Sequence, residues 1–150
     1  MRFKILAVLA LTALVSACAG TTTGGGAGAI VQGSQEDLVV NVGDRVFFGF
    51  DKYNLDGNAR STLEKQAAWL KANSGITITV EGHADERGTR EYNLALGSRR
   101  ANAVKDYLIA LGISEARVKT ISYGKERPVA LGSNEAAWAQ NRRAVSIVVN

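Results

Sequence analysis

The chain has 150 residues, 46% hydrophobic and 21% charged, with 18 basic and 14 acidic side chains and a formal net charge of +4. That length suits one domain with a single core plus an extension. The lone cysteine excludes an intrachain disulfide, the single histidine argues against a metal centre, and so modest a charge leaves no footprint for nucleic acid.

The N-terminus reads as a processing segment. Arg2 and Lys4 precede an apolar run from Ile5 to Val15, broken only by Thr12. That run is too short for a membrane span, which needs roughly 20 residues. It ends in Val15-Ser16-Ala17-Cys18, small residues set directly before the cysteine. The arrangement resembles a bacterial lipobox, which predicts a signal peptide over 1–17 and lipid on Cys18. Each buried methylene of such an anchor adds roughly 0.8 kcal/mol. Gly20, where an enterobacterial-type sorting scheme would read aspartate, points to the outer membrane. Without Arg2 and Lys4 the remainder carries about +2. From Ala19 to about Gln35 the chain is mostly Gly, Thr, Ala and Ser with no aromatic residue. Such a stretch buries too little apolar surface to offset its ordering entropy, so residues 18–37 are expected to be the lipidated cysteine and a flexible tether. As a Gly-rich coil the tether reaches about 20–25 Å.

Residues 38–150 then form one domain. Val46–Phe50 is rich in strand formers and stops at Asp51. Asp56–Asn73 is a predicted helix, with Ala59, Leu63, Ala67 and Leu70 at helical spacing. Ile76–His83 alternates apolar and polar residues, the pattern of a half-buried strand. A long helix runs to Leu111 and stops at Gly112. Val118–Tyr123 and Arg143–Val149 are predicted strands, separated by a short piece near Glu135–Gln140. The order β-α-β-α-β and then β predicts an α/β (α+β) sandwich, a mixed sheet with helices on one face.

The most informative stretch is Glu81–Ala101, EGHADERGTREYNLALGSRRA. A strand feeds a loop dense in both charge signs, and the loop opens onto a periodic helix. Held between rigid elements, such a loop suits a small zwitterionic ligand; the plainer reading is a solvated surface loop. In the helix, Leu94, Gly97, Ala101, Val104, Leu108 and Leu111 form the buried stripe. The mean direction of that stripe lies roughly 70° from Arg100 and 170° from Arg99, which puts Arg99 in solvent and Arg100 at the core border, needing a partner. The helix start decides what Arg100 reaches. With Thr89 as the cap Arg100 lies about 16 Å along the axis, and with Asn93 about 10 Å. Because the stripe begins at Leu94, Asn93 is the expected cap, which brings Asp85 near Arg100.

This run, with VFFGFDKYNL before it and NRRAVSIVV after it, resembles the outer-membrane-protein-A C-terminal-like family, and within it the lipid-anchored members of the Tol–Pal system. The likeness covers Val46 to Val149, and the lipobox and tether match as well. It implies a non-catalytic domain that needs no cofactor and binds the diaminopimelate side chain of peptidoglycan stem peptides. It also implies anchorage in the outer membrane with the domain facing the periplasm, and a part in envelope constriction at cell division. By position, the family's ligand carboxylate falls on Asp85 and its arginine on Arg100. The strand-end pair Phe50-Asp51 matches the other contacting segment, while Glu86, Arg87, Thr89 and Leu96 fall on pocket-lining positions. Arg90 departs from the proline common in relatives and puts loop rigidity in question. The resemblance further implies contact with TolB, and also with TolA; Tyr53, Trp69, Tyr92 and Trp138 are candidate anchors.

Three other readings compete. His83, Asp85 and Glu86 could be drawn as the acid/base group of a periplasmic hydrolase, although His83 continues the polar face of its strand and reads as structural. A flagellar stator-type anchor requires a transmembrane helix. In a purely protein-interaction lipoprotein, Asp85 and Arg100 would pair only with each other.

Overall fold

The computed structural model describes residues 28–149. The expected signal peptide, Cys18 and the first part of the tether fall outside the described residues.

Four strands, β1 (Arg45–Phe47), β2 (Thr77–His83), β3 (Val118–Gly124) and β4 (Arg143–Val149), form one sheet in the order β1-β4-β2-β3. β2 pairs parallel with β3 and antiparallel with β4, and β4 pairs antiparallel with β1. The sheet is therefore mixed. Two long helices, α2 (Gly57–Ala72) and α3 (Arg90–Ala110), supply the core facing it, and a short α4 (Glu135–Asn141) precedes β4. Val46, Ile78, Val80, Val118 and Ala144 of the sheet are buried against Leu63, Leu70, Ala101, Val104 and Leu108 of the helices. The expected α/β sandwich is the observed architecture.

Each α-helix start among the described residues has a side-chain cap. The Asp56 carboxylate accepts from the Ala59 amide at 2.8 Å at the head of α2. Thr89, not Asn93, caps α3, its hydroxyl accepting from the Tyr92 amide at 3.2 Å. Leu94 misled the expectation, for it is 49% exposed; the buried face runs instead through Asn93, Leu96, Gly97, Arg100, Ala101, Val104 and Leu108. Asn93 serves the loop from inside the helix, its amide donating to the Arg87 and Thr89 carbonyls.

Two further differences bear on the site. Strand β1 ends at Phe47 rather than Phe50: the Phe48 amide still donates to the Arg142 carbonyl at 2.9 Å, and the chain then turns, with the Lys52 amide donating to Gly49. Phe50 and Asp51 thus sit on a turn rather than at a strand end. The fold also begins before residue 38. A short helix α1 (Gln35–Asp37) leads into a π-helical turn, Leu38–Val42. The buried Asp37 carboxylate accepts from the Gly33 amide, the Asn41 amide group and the Trp69 indole, each within 2.8 Å. Gln35 meanwhile stands in for a missing neighbour strand, accepting from the Val148 amide and donating to the Ser146 carbonyl. Polar residues here resemble a tether in sequence because their partners lie far along the chain.

Candidate functional site

The loop after β2 and the start of α3 fold against the Gly49–Lys52 turn and enclose a cavity of about 210 Å³. Its wall is made by Phe50, Asp51, Asp85, Arg87, Gly88, Tyr92, Asn93, Leu96 and Arg100. Of the residues expected here, Asp85, Arg100, Asp51, Phe50, Arg87 and Leu96 line it. Glu86 and Thr89 do not. The Glu86 carboxylate accepts from the Trp138 indole at 2.9 Å, and Thr89 is spent on the helix cap.

Arg100 is fully buried at 0% exposure, and it makes no ion pair among the described residues. Its Nε donates to the Lys52 carbonyl at 2.8 Å, Nη1 to His83 at 2.8 Å and Nη2 to Gly49 at 3.1 Å. A guanidinium has five N–H donors, so one remains on each terminal nitrogen. Burial pushes its pKa down to about 10, partly offset by the fields of Asp85 and Asp51, and the group stays charged at neutral pH. It is thus a buried cation held by neutral carbonyls, with an unfilled fork in a cavity wall.

Asp85 is the opposite case. Its carboxylate receives the backbone amide and Nε of Arg87, both at 3.1 Å, Arg87 Nη2 at 2.7 Å and Arg142 Nη1 at 3.4 Å. Burial works to raise its pKa, but the hydrogen bonds from Arg87, with help from Arg142, hold it below the usual carboxylate range. The Arg87 guanidinium is stacked between the Phe50 and Trp138 rings, 4.0 Å from each centroid. Arg142 also pairs with Glu135 at 2.6 Å and donates to the Phe48 carbonyl. Asp85 and Arg100 therefore share a cavity without bonding to each other.

The sequence reasoning missed Arg142, Asn93, Gly88 and the role of Tyr92. Arg142 had a signal, since it directly precedes the final strand and the double arginine there resembles Arg99-Arg100. Choosing between those two needed the register of β4. Tyr92 was noted only as an aromatic anchor; its hydroxyl donates to Asp51.

His83 lies apart from the cavity. It is 1% exposed and stacked on Tyr123 at 5.7 Å, with Nε2 3.5 Å from Glu81, and neither ring nitrogen has a hydrogen-bond partner. Burial, followed by the fields of Arg143, Arg127 and Arg45, lowers its pKa to about 4. Among the described residues no cluster of metal ligands occurs and no helix is long and apolar enough to cross a membrane.

Fold and site together define a small mixed-sheet domain that presents a two-signed, ligand-sized cavity. Residues 47–142 match the OmpA family. The chain is 48% identical to the peptidoglycan-associated lipoprotein of Rhizobium meliloti, covering 98% of this chain and 88% of that one. It is 56% identical to the protein of the same name from Agrobacterium fabrum, covering 83% and 70%. Among solved structures it resembles the peptidoglycan-associated lipoprotein from Burkholderia pseudomallei, with a TM-score of 0.69 and 46% identity over 71% of this chain and 90% of that chain. The C-terminal domain of Helicobacter pylori MotB, at 20% identity and a TM-score of 0.66, shares the fold alone. The chain belongs to the OmpA family and, within it, to the peptidoglycan-associated lipoproteins.

Proposed function

We propose that this protein ties the outer membrane to the cell wall by binding, without catalysis, the diaminopimelate residue of peptidoglycan stem peptides. The observation that carries this is Arg100: a fully buried guanidinium, free of any ion pair among the described residues and with two N–H groups left over, in the wall of a cavity also lined by Asp51 and Asp85. A buried charge without a counter-ion is costly, and a ligand carboxylate gripped bidentately would offset that cost. Diaminopimelate carries an ammonium on the same carbon as its carboxylate, and the two acids face that second charge. A plain anion would leave the acids unused and a plain amine would leave Arg100 unpaired.

No bond need be made or broken in this role. His83, the candidate base of a hydrolase, is buried away from the cavity and held neutral. Lipid on Cys18 would hold one end in the outer membrane, and the domain would face the periplasm and the wall. Confinement at the membrane raises the effective concentration of a weak single-site contact. TolB, with TolA, completes the reading as protein partner in the Tol–Pal system. The test is a binding isotherm of residues 28–150 against a diaminopimelate stem peptide and a lysine-type peptide, with sacculus pull-down alongside. Saturable binding of the first, stronger than of the second and weakened in Asp85→Ala, is expected. Absence of binding, or release of muropeptides, would defeat the proposal.

A further inference from the structure

Asp51 is the one non-glycine residue with a positive φ, 56°, among the described residues. It occupies the Gly49–Lys52 turn at a position where glycine is ordinarily preferred, since a side chain there crowds the backbone. The turn is held from outside: Arg100 donates to the Gly49 carbonyl at 3.1 Å and to the Lys52 carbonyl at 2.8 Å, bracketing Phe50 and Asp51. The Asp51 carboxylate is met by the Tyr92 hydroxyl, which reaches across from the first turn of α3. Tyr92 is itself fixed there, its backbone amide bound to the Thr89 cap at 3.2 Å.

The two acids of the cavity differ in what they can still accept. A carboxylate offers about four lone-pair sites. At Asp85 three donors from Arg87 and one from Arg142 use them. At Asp51 the Tyr92 hydroxyl is the hydrogen-bond partner, so acceptor positions remain. An ammonium entering the cavity finds open acceptors at Asp51, whereas at Asp85 it must share the carboxylate with Arg87 and Arg142.

We propose that Tyr92 is a positioning residue that aims the Asp51 carboxylate at the ammonium of the ligand whose carboxylate Arg100 holds. The inference rests on the zwitterion-binding reading above and sharpens it: of the two acids that face the ammonium, Asp85 shares its carboxylate with Arg87 and Arg142, and Asp51 keeps acceptors open. Arg100 joins the two halves, because the guanidinium that faces the carboxylate also pins the turn carrying Asp51. The unfavourable backbone at Asp51 is maintained because it delivers a carboxylate that glycine lacks.

The experiment is calorimetry on the full-length chain in detergent, with meso-diaminopimelate and with pimelate, which has the same carbon chain and both carboxylates but no amine. The variants are Tyr92→Phe, Asp51→Asn, their double variant and Asp51→Gly. Tyr92→Phe is expected to weaken diaminopimelate about tenfold, the scale of one hydrogen bond to a charged group, while pimelate is unaffected. In the double variant Tyr92→Phe adds nothing to Asp51→Asn, since the hydroxyl acts through that carboxylate. Asp51→Gly relaxes the turn, melts no lower than wild type and loses diaminopimelate binding. If Tyr92→Phe weakens both ligands alike, or weakens diaminopimelate in the Asp51→Asn background too, the hydroxyl is merely structural and the proposal fails. Unchanged diaminopimelate affinity in Tyr92→Phe also overturns it while leaving the peptidoglycan reading intact. A wild-type chain that binds neither ligand defeats both.

Discussion

Asp85 and Arg100 line one cavity but are bonded elsewhere, Asp85 to Arg87 and Arg142 and Arg100 to the carbonyls of Gly49, Lys52 and His83. Arg100 is thus both the structural pin of the turn and the unfilled half of a clamp. The two roles separate on substitution. Arg100→Lys keeps the charge but cannot serve three carbonyls and a carboxylate at once. It is expected to cost about 2 kcal/mol in denaturant unfolding and at least roughly tenfold in diaminopimelate affinity. Arg100→Met, which leaves all three carbonyls unsatisfied, should cost about 3–5 kcal/mol. Full stability in Arg100→Met would contradict the hydrogen-bond account.

The depth at which Arg100 meets the site is set by Gly82 and Gly97, where β2 and α3 touch backbone to backbone. A methyl group on Gly82 would fall on the Gly97 carbonyl, and one on Gly97 would meet Ser122 Oγ and the Gly82 carbonyl. The two carbonyls are backbone and cannot swing aside as a side-chain end could. Gly82→Ala must therefore push α3 away from the sheet, at about 3 kcal/mol. Because α3 carries Arg100, Leu96 and Tyr92, ligand affinity should fall with stability. An alanine variant that melts within a degree or two of wild type would show the contact to be looser than this.

That same contact explains what could be read from the sequence and what could not. The apolar stripe predicts an Asn93 cap, which shortens the distance between Arg100 and the loop. The helix in fact starts at Thr89, and Arg100 still reaches the cavity. Asp85 follows β2 closely, and β2 runs beside α3 at the level of Gly97, so the strand end brings Asp85 to Arg100 whatever the loop length. Alternation in Thr77–His83 and the helical spacing of Ala59, Leu63, Ala67 and Leu70 are local signals, and they located β2 and α2 well. Arg142 against Asp85 and Gln35 against Val148 are contacts between distant parts of the chain, and no local period encodes them. The helical period sets Arg100 only at the core border, because a 100° rotation gives a direction, not a depth.

His83 should make folding stability depend on pH in a window that begins above the range of the carboxylates and overlaps it only at the acid end. Its pKa in the folded chain, about 4, lies below the ordinary 6.5 because of burial and then the fields of Arg143, Arg127 and Arg45. Above pH 6.5 the ring is neutral in both states and the term vanishes. As pH falls from 6.5 towards 4 the unfolded chain takes up a proton that the folded chain refuses, so stability falls, and below 4 the loss levels off. The loss is of the order of 2 kcal/mol after allowing for solvent relaxation around the ring. Urea unfolding at pH 7 and pH 4.5 should show it, and His83→Phe should flatten it. Equal dependence in both chains would place the titrating group elsewhere.

Arg90, where the family resemblance implies proline, stands outside the cavity wall. It is the first residue of α3, directly after the Thr89 cap, and its Nε lies 3.2 Å from Glu126 with both side chains largely exposed. An exposed pair of this kind is worth about 0–1 kcal/mol. Proline is well suited to the first helical position, where its missing N–H costs no intrahelical bond and its fixed φ matches the helix. Arg90→Pro therefore exchanges a small, salt-screened attraction for lower entropy in the unfolded chain. The two nearly cancel, and the variant should melt within about 1 kcal/mol of wild type in low salt and gain on it as salt rises. Diaminopimelate affinity should not change, because neither Asp51, Asp85 nor Arg100 bonds to Arg90. A several-fold loss of affinity in Arg90→Pro would mean that the loop between Asp85 and Thr89 takes its shape from the arginine, not from Asn93 and the Thr89 cap.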